Sequence, residues 1–204
     1  HLMSALAGGQ ASTHASTQAS VVYDFGDDQF VLKSVPKPAP GPNCALVHVQ
    51  YCGLNPVDAK IGQWKSMIDD SELARHPRGE SFFVPGLDVV GTVVGHGEGV
   101  DQPPIGTRVF YHGRMLEPYG GLSPFSVHEA STLIPLRPSW SATLDGPSLA
   151  GIPCAAWTAM KIVRDKCRVQ KDDVVLVYGA SGGVGSFSVQ FARLLGAATI
   201  IGVC

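Results

Sequence analysis

The sequence predicts an α/β plus β chain: a β region of short strands, then one strand–helix–strand unit of a parallel sheet. Three observations predict it. Gly and Pro, 24 and 15 of 204 residues, lie mostly before residue 150, where they separate short strand-like runs. Near residue 146 the composition turns helical. The last 28 residues, "VYGASGGVGSFSVQFARLLGAATIIGVC", run from an apolar strand through a glycine turn into an amphipathic helix and a second strand.

The elements come in order. "VVYDF" and "QFVLKSV" flank Gly26-Asp27-Asp28, a hairpin signal. "PKPAPGPN" (36–43) is a stiff connector, because proline cannot donate to a sheet ladder. "CALVHVQYC" (44–52) alternates with period two, as a strand with one buried face does. "DVVGTVVG" (88–95), "TRVFYH" (107–112) and "PFSVHE" (124–129) continue the series, which suits a small barrel or sandwich. "SLAGIPCAAWTAMKIVRDKC" has helical length and composition, with Pro153 near its first turns. "DDVVLVYGA" reads as a strand buried on both faces of a parallel sheet. The next helix is expected to bury Val184, Phe187, Phe191 and Leu194 and to turn Ser188 and Arg193 away, with Gly196 as its C-cap. Three segments result: a flexible tail over 1–20, a β domain over 21–145 and a partial nucleotide-binding domain over 146–204.

The glycine turn carries the chemistry. Ala180, Ser181, Gly182, Gly183, Val184 and Gly185 form A-x-G-x-x-G between a strand and a helix. Gly182 and Gly183 let backbone approach a pyrophosphate, and Gly185 lets the helix pack close to the strand. The helix N-terminus offers free N–H groups and the positive end of its dipole. A tight turn that binds nothing is the bland alternative. No Lys comes after Gly185, which disfavours an ATPase loop. Dinucleotide folds place an acid at the end of the second strand to hold the ribose 2′-OH. Here Cys204 stands there. A thiol does not repel a 2′-phosphate, which tilts the expectation toward NADP(H) and makes NAD(H) second.

Composition excludes other classes. Net charge is −2 with no basic block, so neither nucleic acid nor an anionic membrane surface is an expected partner. No apolar run approaches the roughly 20 residues that span a bilayer. Five cysteines without a C-x-x-C pair suit a reducing, cytoplasmic setting, with mitochondria left open. His1-Leu2-Met3 reads as a cloning remnant, and the small polar residues after it fit no signal sequence.

With the loop placed, the upstream half falls into register with a family. "GLNPVDAKIG" (53–62), "VPGLDVVGTVVGHGEGV" (84–100), "GTRVFYHG" (106–113), "GGLSPFSVHEAS" (120–131), "AGIPCAAWTAM" (150–160) and "VLVYGASGGVG" (175–185) occur in order. The chain resembles the medium-chain dehydrogenase/reductase superfamily, in its zinc-independent quinone oxidoreductase and enoyl reductase branch. The resemblance implies a GroES-like β-barrel domain followed by the first βαβ unit of a Rossmann domain, with the active site between them. It implies that Asn55, Asp58 and Lys60 border substrate and nicotinamide, and that Thr158 lies near the cofactor. Lys60 replaces the family's tyrosine, and Trp64 is a candidate pocket wall. Relatives pair through the Rossmann sheet edge, so a homo-oligomer is open.

In metal-dependent relatives a Cys, a His and a Cys ligate catalytic zinc; here the positions hold Asn55, Leu87 and Cys154. Zinc needs three protein ligands, so none is expected. The implied activity is hydride transfer from NADPH to a quinone or an α,β-unsaturated carbonyl, a small electrophilic acceptor. Simpler readings stand beside these. Asn55 before Pro56 suits a turn, Asp58 suits a cap or an ion pair with Lys60, and Cys154 suits packing. His48, His96, His112 and His128 share no ligand spacing and read as surface or core histidines. The sheet would show a long apolar edge, so a fragment of a longer reductase, or an inactive binding protein on the same fold, is the alternative.

Overall fold

The computed structural model describes residues 17–24, 27–60, 74–75, 81–115, 117–141 and 143–204. The first strand, β1 (Thr17–Asp24), pairs antiparallel with β2 (Gln29–Pro36), with Asp24 opposite Gln29. The hairpin is as expected, and Asp28 in its turn adopts φ 55°. The strand begins four residues inside the segment read as a tail. Alternation explains this: Gln18, Ser20 and Val22 are buried while Thr17 and Ala19 are exposed, so small polar residues serve one face of a strand. Residues 1–16 lie outside the described residues.

The barrel continues with β3 (Cys44–Gly53), the short β4 (Ala74–Arg75) and β5 (Ser81–Phe82), and β6 (Asp88–His96). β7 (Arg108–His112), β8 (Phe125–Glu129) and β9 (Ile134–Pro135) complete it. The main sheet has five strands in the order β8-β3-β6-β7-β9, every pair antiparallel. β4 and β5 pair with each other, and Tyr23 bridges to Phe83. One face of the main sheet packs Ala45, Val47, Val89, Val93, Val109 and Tyr111 into a core. Val22, Val35, Phe82 and Val84 form a second cluster, which ties the hairpin to the barrel.

The other face of β6 and β7 is covered by two short helices, α1 (Pro138–Ser141) and α2 (Gly146–Ala150). Val90 and Phe110 pack against Leu149 and Ala150 of α2, with Trp140 of α1 beside them. The segment expected to be one helix is two. Pro153 has no N–H to continue α2, so the chain bends at Gly151-Ile152 and restarts as α3 (Pro153–Met160), with proline in its first turn. α3 runs on into a π-helical turn over Lys161–Lys166. α2 packs on the barrel's sheet through Leu149 and Ala150.

The last unit is β10 (Val174–Tyr178), α4 (Gly183–Leu194) and β11 (Thr199–Val203), with β10 and β11 parallel in register from Val174–Thr199 to Tyr178–Val203. Two expectations are corrected here. α4 buries Gly185, Ser188 and Ala192, while Leu194 is 79% exposed. Small residues win this face because α4 lies close against α3, and the Ser188 hydroxyl is satisfied by the Val184 carbonyl at 2.8 Å. β10 is covered on one face only. Val174, Leu176 and Tyr178 are exposed along the other, where β11 adds Ile201 and Val203.

Candidate active site and cofactor cradle

The site is organised around Asp88, a carboxylate 1% exposed at the start of β6. Its Oδ2 accepts from Asn55 Nδ2 at 3.0 Å. The backbone N–H of Cys154 lies 3.1 Å from Oδ1 and 3.0 Å from Oδ2. His112 Nδ1, at the end of β7, lies 2.7 Å from Oδ1. A carboxylate only accepts, so the proton of that bond sits on Nδ1 and leaves Nε2 free. One side chain thus joins the loop after β3, the edge of β7 and the first turn of α3. Asn55, His112 and Cys154 are each half-buried, so the cluster opens on one side.

Asp58 is a separate case. Its Oδ2 accepts from the Asn55 backbone N–H at 2.7 Å, and its Oδ1 from the N–H groups of Gly86 and Leu87 at 3.2 Å each. The side chain is 6% exposed and spends its lone pairs on backbone, so it fixes the Asn55 loop against the 86–87 turn. The Asp58 pKa is raised, chiefly by burial and also by the nearby Asp88 charge, against the pull of its three backbone donors. A carboxyl whose folded pKa is raised contributes stability that is complete below the ordinary value of 3.8 and declines as pH rises through the folded value. Urea unfolding of wild type and Asp58→Asn from about pH 3 to 7 checks this. The wild type should lose stability across that rise, and the variant should lack that component.

Lys60 and Thr158 are exposed, and Trp64 lies outside the described residues. Thr158 stands one turn along α3 from Cys154. Burial, then the Asp88 and Asp58 charges, push the Cys154 thiol up against the downward pull of the Thr158 hydroxyl. Burial, then the Asp58 and Asp88 charges, push the Cys52 thiol up to about 12. Both sulfurs are held protonated, as packing groups rather than nucleophiles.

The ligand atoms of Asp88, His112 and Cys154 lie within 4.8 Å of one another, close enough to enclose a metal ion. Both Asp88 oxygens accept hydrogen bonds here, and one of them faces the imidazole Nδ1. Of the positions that ligate zinc in metal-dependent relatives, Asn55 donates to Asp88 and Leu87 is a buried apolar side chain.

The candidate cofactor cradle is the turn between β10 and α4. Gly179 adopts φ 69°, a conformation costly for residues with a Cβ, and its carbonyl accepts from Gly182 N. A Cβ on Gly185 would stand 2.0 Å from that carbonyl oxygen, so helix and turn pack closer than any other residue allows. The first N–H groups of α4 have no partner within the helix, and Gly182 supplies no side-chain cap. These groups suit a pyrophosphate. Ala180 N donates to Val203 O at 2.9 Å, which sets the loop beside the end of β11 and Cys204.

The two sites adjoin. A Cβ on Gly183 would lie 3.5 Å from the Ala155 side chain. Ala155 comes directly after Cys154, whose N–H is held by Asp88. The first turn of α3 therefore touches the cradle on one side and the Asp88 cluster on the other. Asn55 is held by Asp88, whereas Thr158 is exposed one turn along α3 from Cys154. Asp88 and His112 are site residues that the sequence pattern does not mark. Asp88 sits inside an apolar strand pattern, and its one signal is an acid opening "DVVGTVV". His112 stands alone in sequence because its partner lies 24 residues away across the ladder.

Comparison with known proteins agrees. Residues 41–137 match the alcohol dehydrogenase GroES-like domain. A quinone oxidoreductase of Rattus norvegicus is 33% identical over 178 residues, covering 86% of this chain and 49% of that protein. An NADPH-dependent alkenal/one oxidoreductase, chloroplastic, of Arabidopsis thaliana is 33% identical over 191 residues, covering 90% and 46%. An alcohol dehydrogenase superfamily protein from Novosphingobium aromaticivorans superposes with a TM-score of 0.72 at 29% identity, covering 92% of this chain and 53% of its own. The chain spans about half the length of the curated relatives it matches. With a GroES-like barrel leading into the first βαβ unit of a Rossmann fold, the chain belongs to the medium-chain dehydrogenase/reductase superfamily.

Proposed function

We propose that the protein is an NADPH-dependent oxidoreductase that reduces a quinone or an α,β-unsaturated carbonyl without zinc. The observation that supports it most is the shared first turn of α3, which sets the cradle at Gly183 beside the Asp88 cluster. The N–H groups at the start of α4 and the backbone of Gly182 and Gly183 would hold the pyrophosphate. Thr158 stands nearest the bound nicotinamide in this reading. NADPH, when bound, would supply the hydride. Asn55 keeps its second Nδ2 proton free beside the cluster, where it would bind the acceptor oxygen as negative charge gathers there. The exposed Lys60 ammonium would add to that field. Relatives named for quinone and alkenal reduction support the acceptor class. Cys204 in place of an acid, beside the loop, supports NADP over NAD.

In the intact protein, NADPH should raise the melting temperature more than NADH at equal concentration. NADPH should be oxidised with a 2-alkenal or a benzoquinone, and chelator treatment should leave the rate unchanged. No shift with either cofactor would overturn the reading as a whole. Loss of activity on chelation, restored by zinc, would overturn its metal-free part.

A further inference from the structure

We propose that His112 is the proton donor to the reduced acceptor, with Asp88 as its positioning residue. The inference rests on the oxidoreductase reading above and assigns a residue that neither the loop motif nor the register marks. The Asp88 carboxylate fixes the imidazole through Nδ1, which turns Nε2 away from that carboxylate. The side chain is 32% exposed, so the ring borders solvent, from which its proton would be restored after each turnover. The ring stands edge-on to Trp157 of α3 at 6.4 Å. Asp88 also holds Asn55, so the group that would bind the acceptor oxygen and the group that would protonate it share one anchor. Asp88 from β6 and Cys154 from α3 are the titratable groups gathered around the imidazole.

The balance is closed. Hydride adds two electrons and one hydrogen to the β-carbon of an enone, breaking the C=C π bond and leaving an enolate. The Nε2–H bond of the imidazolium breaks, its proton goes to the enolate, and the neutral imidazole keeps its Nδ1 proton, hydrogen-bonded to Asp88. NADPH is oxidised, the acceptor is reduced, and solvent restores the proton to Nε2. An imidazole is suited to this exchange near neutral pH.

The test compares wild type with His112→Gln and His112→Phe, using NADPH with a 2-alkenal and with a benzoquinone. The expected result is a fall of about a hundredfold in kcat for the alkenal, with NADPH affinity unchanged. The fall for the quinone should be smaller, since the hydroquinone anion is a much weaker base than an enolate. A readout without turnover accompanies it. Nitrogen NMR of the cofactor-free protein should find Nδ1 protonated in both the neutral and the charged ring, with Nε2 gaining and losing its proton, and Asp88→Asn should let the neutral ring share its proton between the nitrogens. Undiminished alkenal kcat in His112→Gln overturns the assignment and leaves the oxidoreductase reading standing. A wild type that binds NADPH and reduces neither acceptor overturns both.

Discussion

Asp88→Ala should lower the unfolding free energy by about 2–4 kcal/mol. The carboxylate satisfies the Cys154 N–H, the Asn55 carboxamide and the His112 ring at once. Each buried donor left without a partner costs about 1–3 kcal/mol. Asn55 and His112 are half-buried and recover part of that loss from water. The Cys154 N–H sits at a helix start between two packed units and recovers less. Asp88→Asn, which keeps one acceptor oxygen, should lose less than Asp88→Ala. Urea unfolding gives the sizes, and amide exchange at Cys154 locates the damage. Unchanged protection at that amide in Asp88→Ala would contradict the role given to the carboxylate.

Gly185→Val should remove NADPH binding while leaving the barrel folded. Its Cβ would fall 2.0 Å from the Gly179 carbonyl and 2.8 Å from the Ala180 Cα, both backbone atoms that cannot rotate aside. Either the turn or the helix has to move. Overpacking of this kind costs about 1–3 kcal/mol. The moved groups are those that would hold the pyrophosphate, and each 1.4 kcal/mol lost there weakens binding roughly tenfold. Calorimetric titration with NADPH measures the effect. Gly182→Ala makes a useful contrast, because its added Cβ meets only the Gly179 carbonyl at 3.3 Å. It should bind far better than Gly185→Val.

The cradle is legible in the sequence because its signals are local. A strand, a glycine turn and a helix lie within about 20 consecutive residues, and spacing alone fixes their geometry. The strands of the barrel are legible for the same reason, through alternation and turn residues. The Asp88 cluster is not. Its members come from positions 55, 88, 112 and 154, joined only when β3, β6, β7 and α3 are assembled. Asp58 shows the converse. The motif marks it as a site residue, yet its oxygens are committed to the Asn55, Gly86 and Leu87 amides, a contact visible only in three dimensions. The buried face of α4 escapes a reading by hydrophobicity, which ranks Leu194 above Ser188, whereas the closeness of α3 admits only small residues.

The bond between Asp88 and the Cys154 amide also bears on the order in which the protein can be made. The two residues are 66 positions apart. A ribosome adding about 5–20 residues per second needs roughly 3–13 s to cover that span. Until then β6 has an acid at its head with no amide to receive, and Leu149 and Ala150 are not yet there to cover Val90 and Phe110. The barrel's own strands therefore emerge before these contacts can form. This face of β6 and β7 gains its cover only once α2 and the first turn of α3 have been made.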